Sequence, residues 1–78
     1  RAEEALVWFD RALQREPHNA FALRGKASAL GQLWRYAEAL PYWEDAIAVE
    51  PDSLFAILGR DQARRELALA QERAASGI

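Results

Sequence analysis

The 78-residue sequence predicts an all-α fold of four helices. Three observations carry that reading. Apolar residues recur at three- and four-residue spacing through most of the chain, which is the stripe of an amphipathic helix. Glu16-Pro17 and Glu50-Pro51 punctuate the stripe, and the residue before a proline is pushed out of the α region. The chain also repeats itself at a spacing of 34. Arg1, Glu4, Ala5, Leu6, Ala12, Glu16 and Pro17 fall on identical residues, as do Phe21, Ala22, Gly25, Ala29, Leu33 and Glu38. Identity at a fixed period of this length marks stacked helical units. The complete unit spans residues 20–51, with partial copies before and after it.

The first helix, Arg1 to Glu16, places Ala2, Ala5, Leu6, Phe9, Ala12 and Leu13 on one face and Glu3, Glu4, Asp10, Arg11 and Arg15 on the remainder. Pro17 stops it, and Asn19 is the N-cap of the next helix, its side-chain oxygen accepting a free backbone N–H. The second helix runs from about Ala20 to Leu33. Its small stripe, Ala22, Gly25, Ala29 and Leu33, lies against the first helix, while Leu23, Ala27 and Leu30 face the helix that follows. A turn is expected at Trp34-Arg35-Tyr36. The third helix, Ala37 to Val49, carries Ala39, Leu40, Trp43, Ala46 and Ile47 on its apolar face. Pro41 sits at or just past the first turn, where backbone N–H groups lack intrahelical partners, so a slight bend is expected there and no break. Glu50-Pro51-Asp52-Ser53 repeats the earlier stop and cap. The fourth helix runs from Leu54 to about Ala75, with the small stripe Ala56, Gly59, Ala63, Leu67, Ala70 and Ala74, and Gly77 ends it.

Composition bounds the function. A domain of this size buries only about 60% of its unfolded surface. Ten basic against twelve acidic residues give a net charge of −2, which argues against nucleic acid or an anionic membrane as the main partner. With no cysteine there is neither a disulfide framework nor a thiolate metal site. No apolar run reaches the roughly 20 residues of a membrane span and no signal peptide is visible, so a cytoplasmic location is expected.

The combined pattern resembles the tetratricopeptide repeat (TPR) family over most of the chain. The residues that carry the resemblance are Leu23, Ala27, Leu30, Ala39, Trp43, Ala46 and Pro51 in the full unit, with Ala5, Phe9, Ala12 and Pro17 matching the second half of a preceding one. The resemblance implies antiparallel helix pairs stacked as a right-handed solenoid. It divides the chain into the second helix of a truncated repeat (1–17), a complete repeat (20–51) and a C-terminal capping helix (54–75). Two departures stand out. Trp34 occupies the place where the family often has a turn glycine. In the last unit Arg60, Asp61 and Arg64 replace the Lys26, Ala27 and Leu30 of the full one, and a solenoid needs a polar face where stacking stops. The chain is therefore expected to be the C-terminal part of a longer array, with Ala5, Phe9 and Ala12 uncovered at its start and available for self-association.

Nothing in the chain points to catalysis. His18 is the only histidine, in a turn beside a proline and without partners for a metal or a nucleophile. The carboxylate neighbours Glu3-Glu4, Glu44-Asp45 and Asp61/Glu66 are the ordinary product of solvated helix faces. There is no phosphate-binding glycine loop. No enzyme activity, cofactor or metal is expected.

What the resemblance implies is protein binding. The first helices of successive units line the inner face of such an array. Here those residues are Phe21, Arg24, Ser28 and Gln32, then Phe55, Leu58, Gln62 and Arg65. Phe21 and Phe55, one period apart, are expected side by side as an aromatic platform or else as a finish to the helix packing. Arg24 and Arg65 are placed to hold a carboxylate or a backbone carbonyl. One subtype of the family grips C-terminal carboxylates with a lysine and asparagines. The matching positions here are Arg24, Ser28 and Gly59, which lack the asparagines. The leading expectation is an interaction module that takes a partner peptide or protein surface in this groove. The alternatives are a structural element that forms homodimers or longer assemblies through Phe9, Trp8, Trp34 and Trp43, and an appendage of an enzyme or regulator.

Overall fold

The computed structural model describes residues 1–77. Four helices follow one another: α1 (Ala2–Arg15), α2 (Ala20–Gln32), α3 (Tyr36–Val49) and α4 (Leu54–Ser76). Each end lies within a residue of the boundary read from the sequence. Pro41 is inside α3, which continues through it.

The α1–α2 and α3–α4 joints are built alike. Glu16 N–H donates to the Ala12 carbonyl at 2.9 Å, and Glu50 N–H donates to that of Ala46 at 2.9 Å. Asn19 then caps α2 by accepting from Ala22 N–H at 3.1 Å. Ser53 caps α4 by accepting from Ala56 N–H at 3.4 Å. The α2–α3 joint is different. Arg35 N–H reaches back to the Leu30 carbonyl at 2.9 Å and Trp34 N–H to that of Gly31 at 3.0 Å. This is the Schellman arrangement, whose penultimate position needs a left-handed residue. Trp34 fills it at φ 61°, in the region that costs a side-chain-bearing residue about 1–2 kcal/mol.

Packing proceeds in chain order. α1 lies on α2, α2 on α3 and α3 on α4, and α2 also reaches α4. The core comprises Leu23, Ala27 and Leu30 from α2, Ala39, Trp43 and Ala46 from α3, and Ala56 and Ala63 from α4. Alanines at these positions bring the helices close, and Trp43 is the one large ring among them. Leu6 and Leu13 of α1 pack against the cluster from its edge; α1 itself has no fully buried residue.

α4 outruns its partner. At a rise of about 1.5 Å per residue its length is roughly 35 Å, most of the molecule's 45 Å long axis. The small stripe is buried at Ala56 and Ala63, but Ala70 and Ala74 are exposed, as is every residue from Ala68 to Gly77. Gly77 follows the helix at φ −88°, so α4 ends without a left-handed turn. The charged face of α4 also carries no covering helix. Arg60 pairs with Asp61 at 3.1 Å, and Arg64 approaches Glu44 of α3 at 3.5 Å.

Candidate functional groove

Two glycines decide where the aromatic side chains go. Gly25 of α2 has three ring carbons of Phe9 within 2.7 Å of where a Cβ would stand, and Gly59 of α4 has three of Trp43 within 2.6 Å. Neither position admits a methyl group unless a ring moves. Each ring then meets a phenylalanine one turn earlier on the same helix as the glycine. Phe9 and Phe21 meet edge-to-face with centroids 5.9 Å apart. Trp43 and Phe55 do so at 5.6 Å. The two triads, Phe9/Gly25/Phe21 and Trp43/Gly59/Phe55, are the same construction 34 residues apart.

With the space over each glycine taken, Phe21 and Phe55 stay largely uncovered, at 67% and 58% exposure. They stand at a groove of about 980 Å³ whose lining includes Phe9, Phe21, Gly25, Ser28, Ala29, Gln32, Leu54 and Phe55 and the charged residues Arg1, Arg24, Glu50 and Asp52. A second recess of about 610 Å³ adjoins it. Its lining comprises Ser28, Gly31, Gln32, Trp34, Tyr36, Trp43, Phe55, Leu58, Gly59 and Gln62. Ser28, Gln32 and Phe55 belong to both, so Phe55 stands between them. Trp34 and Tyr36 meet there edge-to-face at 5.8 Å.

The structure thus brings Phe21, Arg24, Ser28, Gln32, Phe55, Leu58 and Gln62 together along one surface. Arg65 is exposed on α4 and lines neither recess. Phe21 and Phe55 share the groove, but the ring contact of each is with Phe9 or Trp43 and, among the described residues, not with the other. The expected platform is therefore two separate edges. Arg24 has a partner in the protein: its guanidinium lies 2.5 Å from Glu50, in the joint before α4. An incoming carboxylate at Arg24 would compete with Glu50.

The residues expected to mediate self-association, Ala5, Phe9 and Ala12, are each half-buried. Phe9 is half-buried over Gly25, not exposed, because the glycine leaves its ring a seat. Ala5 and Phe9 line the groove, and Ala12, on the same stripe of α1, borders Trp8, Arg11, Gln14 and Arg15. The uncovered ring of α1 is Trp8, at 72% exposure.

Residues two apart on a helix point about 200° apart, so Lys26 leaves α2 on the side away from Arg24. Its ammonium sits 2.5 Å from Asp10 of α1 and donates to the Tyr42 hydroxyl of α3 at 2.9 Å. Burial by itself would lower its pKa. The hydrogen bonds to Asp10 and Tyr42 outweigh burial and hold it above the ordinary value. This cation ties three helices together.

Sequence reasoning singled out Trp34 as a departure but did not place it, with Tyr36, in a recess beside Phe55. It also missed Leu54 and Glu50. The signal for Leu54 was its position beside Phe55 at a helix start. Glu50 carried none, since it pairs across 26 residues. Among the described residues no three His, Cys, Asp or Glu side chains are grouped as metal ligands would be, and no helix is long and apolar enough to cross a membrane. Comparison with protein-family models, with curated proteins and with solved structures returned no match.

Proposed function

We propose that this chain is a protein-interaction module of the TPR type, in which antiparallel helix pairs stack as a right-handed solenoid and α4 closes the stack. A partner peptide or protein surface binds in the groove between Phe21 and Gln62. One observation carries the reading. Seven of the eight residues that the resemblance marks as inner-face positions, all but Arg65, line one surface with two exposed phenylalanine edges. Binding there would follow the usual economy of peptide grooves, in which a few apolar anchors give affinity and polar side chains set register. The unit boundaries at 1–17, 20–51 and 54–75 belong to this proposal, as does a binding role in place of a catalytic one.

The test is selection of peptides from a random library against the 78-residue chain, followed by mapping through amide chemical shifts. The expected result is peptides that perturb α2 and α4 and lose binding in Phe21→Glu and Phe55→Glu. Peptides that bind undiminished to both variants, or that lose binding only in Trp8→Glu, would refute the groove. Trp8→Glu also tests the competing idea of self-assembly. Light scattering over a hundredfold range of concentration is expected to show a monomer. A dimer abolished by Trp8→Glu would instead place association on the outer face of α1.

A further inference from the structure

We infer that the recess beside Trp34 is a subsite for proline in an extended, uncharged segment of the partner; the inference rests on the groove reading above and names the chemistry of its occupant. Charge is the first consideration. Of the ten residues that line the recess, none is acidic or basic. A carboxylate, an ammonium or a guanidinium entering it would leave water without a counter-charge. The occupant that fits is apolar and neutral.

Shape and hydrogen-bonding capacity narrow the choice. Trp34 and Phe55 form exposed aromatic walls, and Tyr36 and the buried Trp43 complete the lining. Ser28, Gln32 and Gln62 stand among them. Among the described residues, no side chain of Ser28, Gln32, Trp34 or Gln62 makes a hydrogen bond within the protein. Flat aromatic surfaces beside free N–H and O–H donors match a polyproline II segment. Such a segment offers flat pyrrolidine rings and backbone carbonyls with no internal hydrogen bonds, and it is ordered before it binds.

The backbone at Trp34 supplies an independent reason. A left-handed residue that closes a helix is ordinarily glycine, yet here the largest side chain occupies the position at φ 61° and remains 76% exposed. Strain of this kind is retained where the side chain has work to do. Packing does not explain it, because among the described residues the indole's one ring contact is the edge of Tyr36.

The experiment titrates the 78-residue chain, followed by its amide shifts, with three capped probe peptides of equal length. One is built from Pro-Pro-Ala triplets, one replaces every proline by alanine, and one carries trimethyllysine in place of the central proline pair. The proline probe is expected to bind at least tenfold more tightly than the alanine probe and to shift Gly31, Trp34 and Gln62. Trp34→Gly keeps the helix end and is expected to weaken the proline probe about tenfold while leaving α2–α4 shifts native. Equal binding of the proline and alanine probes, tighter binding of the trimethyllysine probe, or full retention in Trp34→Gly would overturn the subsite. Library peptides that still depend on Phe21 would show that the groove reading survives. Loss of those peptides' dependence on Phe21 and Phe55 would sink the groove itself.

Discussion

Gly59→Ala tests whether the aromatic-on-glycine contact holds α4 in place. In an isolated helix the substitution gains about 1 kcal/mol, since glycine is the poorest helix former after proline. In this chain the new methyl would overlap three ring carbons of Trp43. Trp43 is 5% exposed and belongs to the core cluster, so its ring has little room to shift. Overpacking of this kind costs about 1–3 kcal/mol, which offsets the gain of about 1 kcal/mol and leaves a net loss of up to about 2 kcal/mol. Gly31→Ala is the internal control. It lies in the last turn of α2, where its Cβ would meet only Tyr36, at an ordinary 3.6 Å, so a gain of up to about 1 kcal/mol should appear. The measurement is urea and thermal unfolding followed by helical circular dichroism, where each kcal/mol moves the midpoint by about 4–8 °C in a domain of this size. The two substitutions should shift it in opposite directions. If Gly59→Ala stabilises the chain as Gly31→Ala does, Trp43 is not seated on Gly59 and the account of the groove fails with it.

Four further outcomes follow from the same contacts. Gly25→Ala should be close to neutral, because the half-buried Phe9 ring can swing outward as Trp43 cannot; unfolding midpoints check this. Trp34→Gly should leave stability unchanged or raise it by up to about 1 kcal/mol, since relief of about 1–2 kcal/mol at the left-handed position is offset by loss of the Tyr36 ring contact, about 0.5–1.5 kcal/mol. Asn19→Ala should cost about 1 kcal/mol by leaving Ala22 N–H without its cap, read from the same unfolding curves. Asp10→Asn should cost about 1 kcal/mol at pH 8. Because the folded-state pKa of Lys26 lies above its ordinary 10.5, the ammonium's contribution is complete below about that pH. It is lost as pH rises through the folded value, so the gap between Asp10→Asn and the parent chain should close above pH 10.5 in a pH series of urea melts.

The helices were legible because their signals are local. Glu16-Pro17 and Glu50-Pro51 stop two of them, Asn19 and Ser53 restart the chain, and the Ala/Leu spacing supplies the buried faces. Groove-lining positions such as Ser28 and Gln62 were legible for a related reason, since a period of 34 transfers a helix face from one helix pair to the next. What was not legible depends on distances that sequence spacing does not encode. Arg24 reads as a free cation until the fold brings Glu50 beside it. Phe9 reads as an uncovered ring until Gly25 offers it a seat. Trp34 reads as a poor turn residue, and only the backbone shows that the turn forms with its hydrogen bonds intact at φ 61°.

The groove is a consequence of how the helices dock and not an addition to it. A ring from α1 or α3 fills the space over a glycine of the next helix. The phenylalanine one turn earlier on that helix then meets only the ring's edge, and most of its own surface remains outside. Replacing Gly59 by a larger residue would therefore not merely loosen α4. It would displace Trp43, and with it the lining shared by Phe55, Leu58 and Gln62. On the proposed reading, stability and recognition are coupled through the same two triads. Substitutions at Phe21 or Phe55, exposed at the rim, should separate the two properties, abolishing binding at little cost in stability. Substitutions at Gly59 or Trp43 should not. A variant at Gly59 that unfolds more readily yet binds the selected peptides with unchanged affinity would break that coupling and place the binding surface elsewhere.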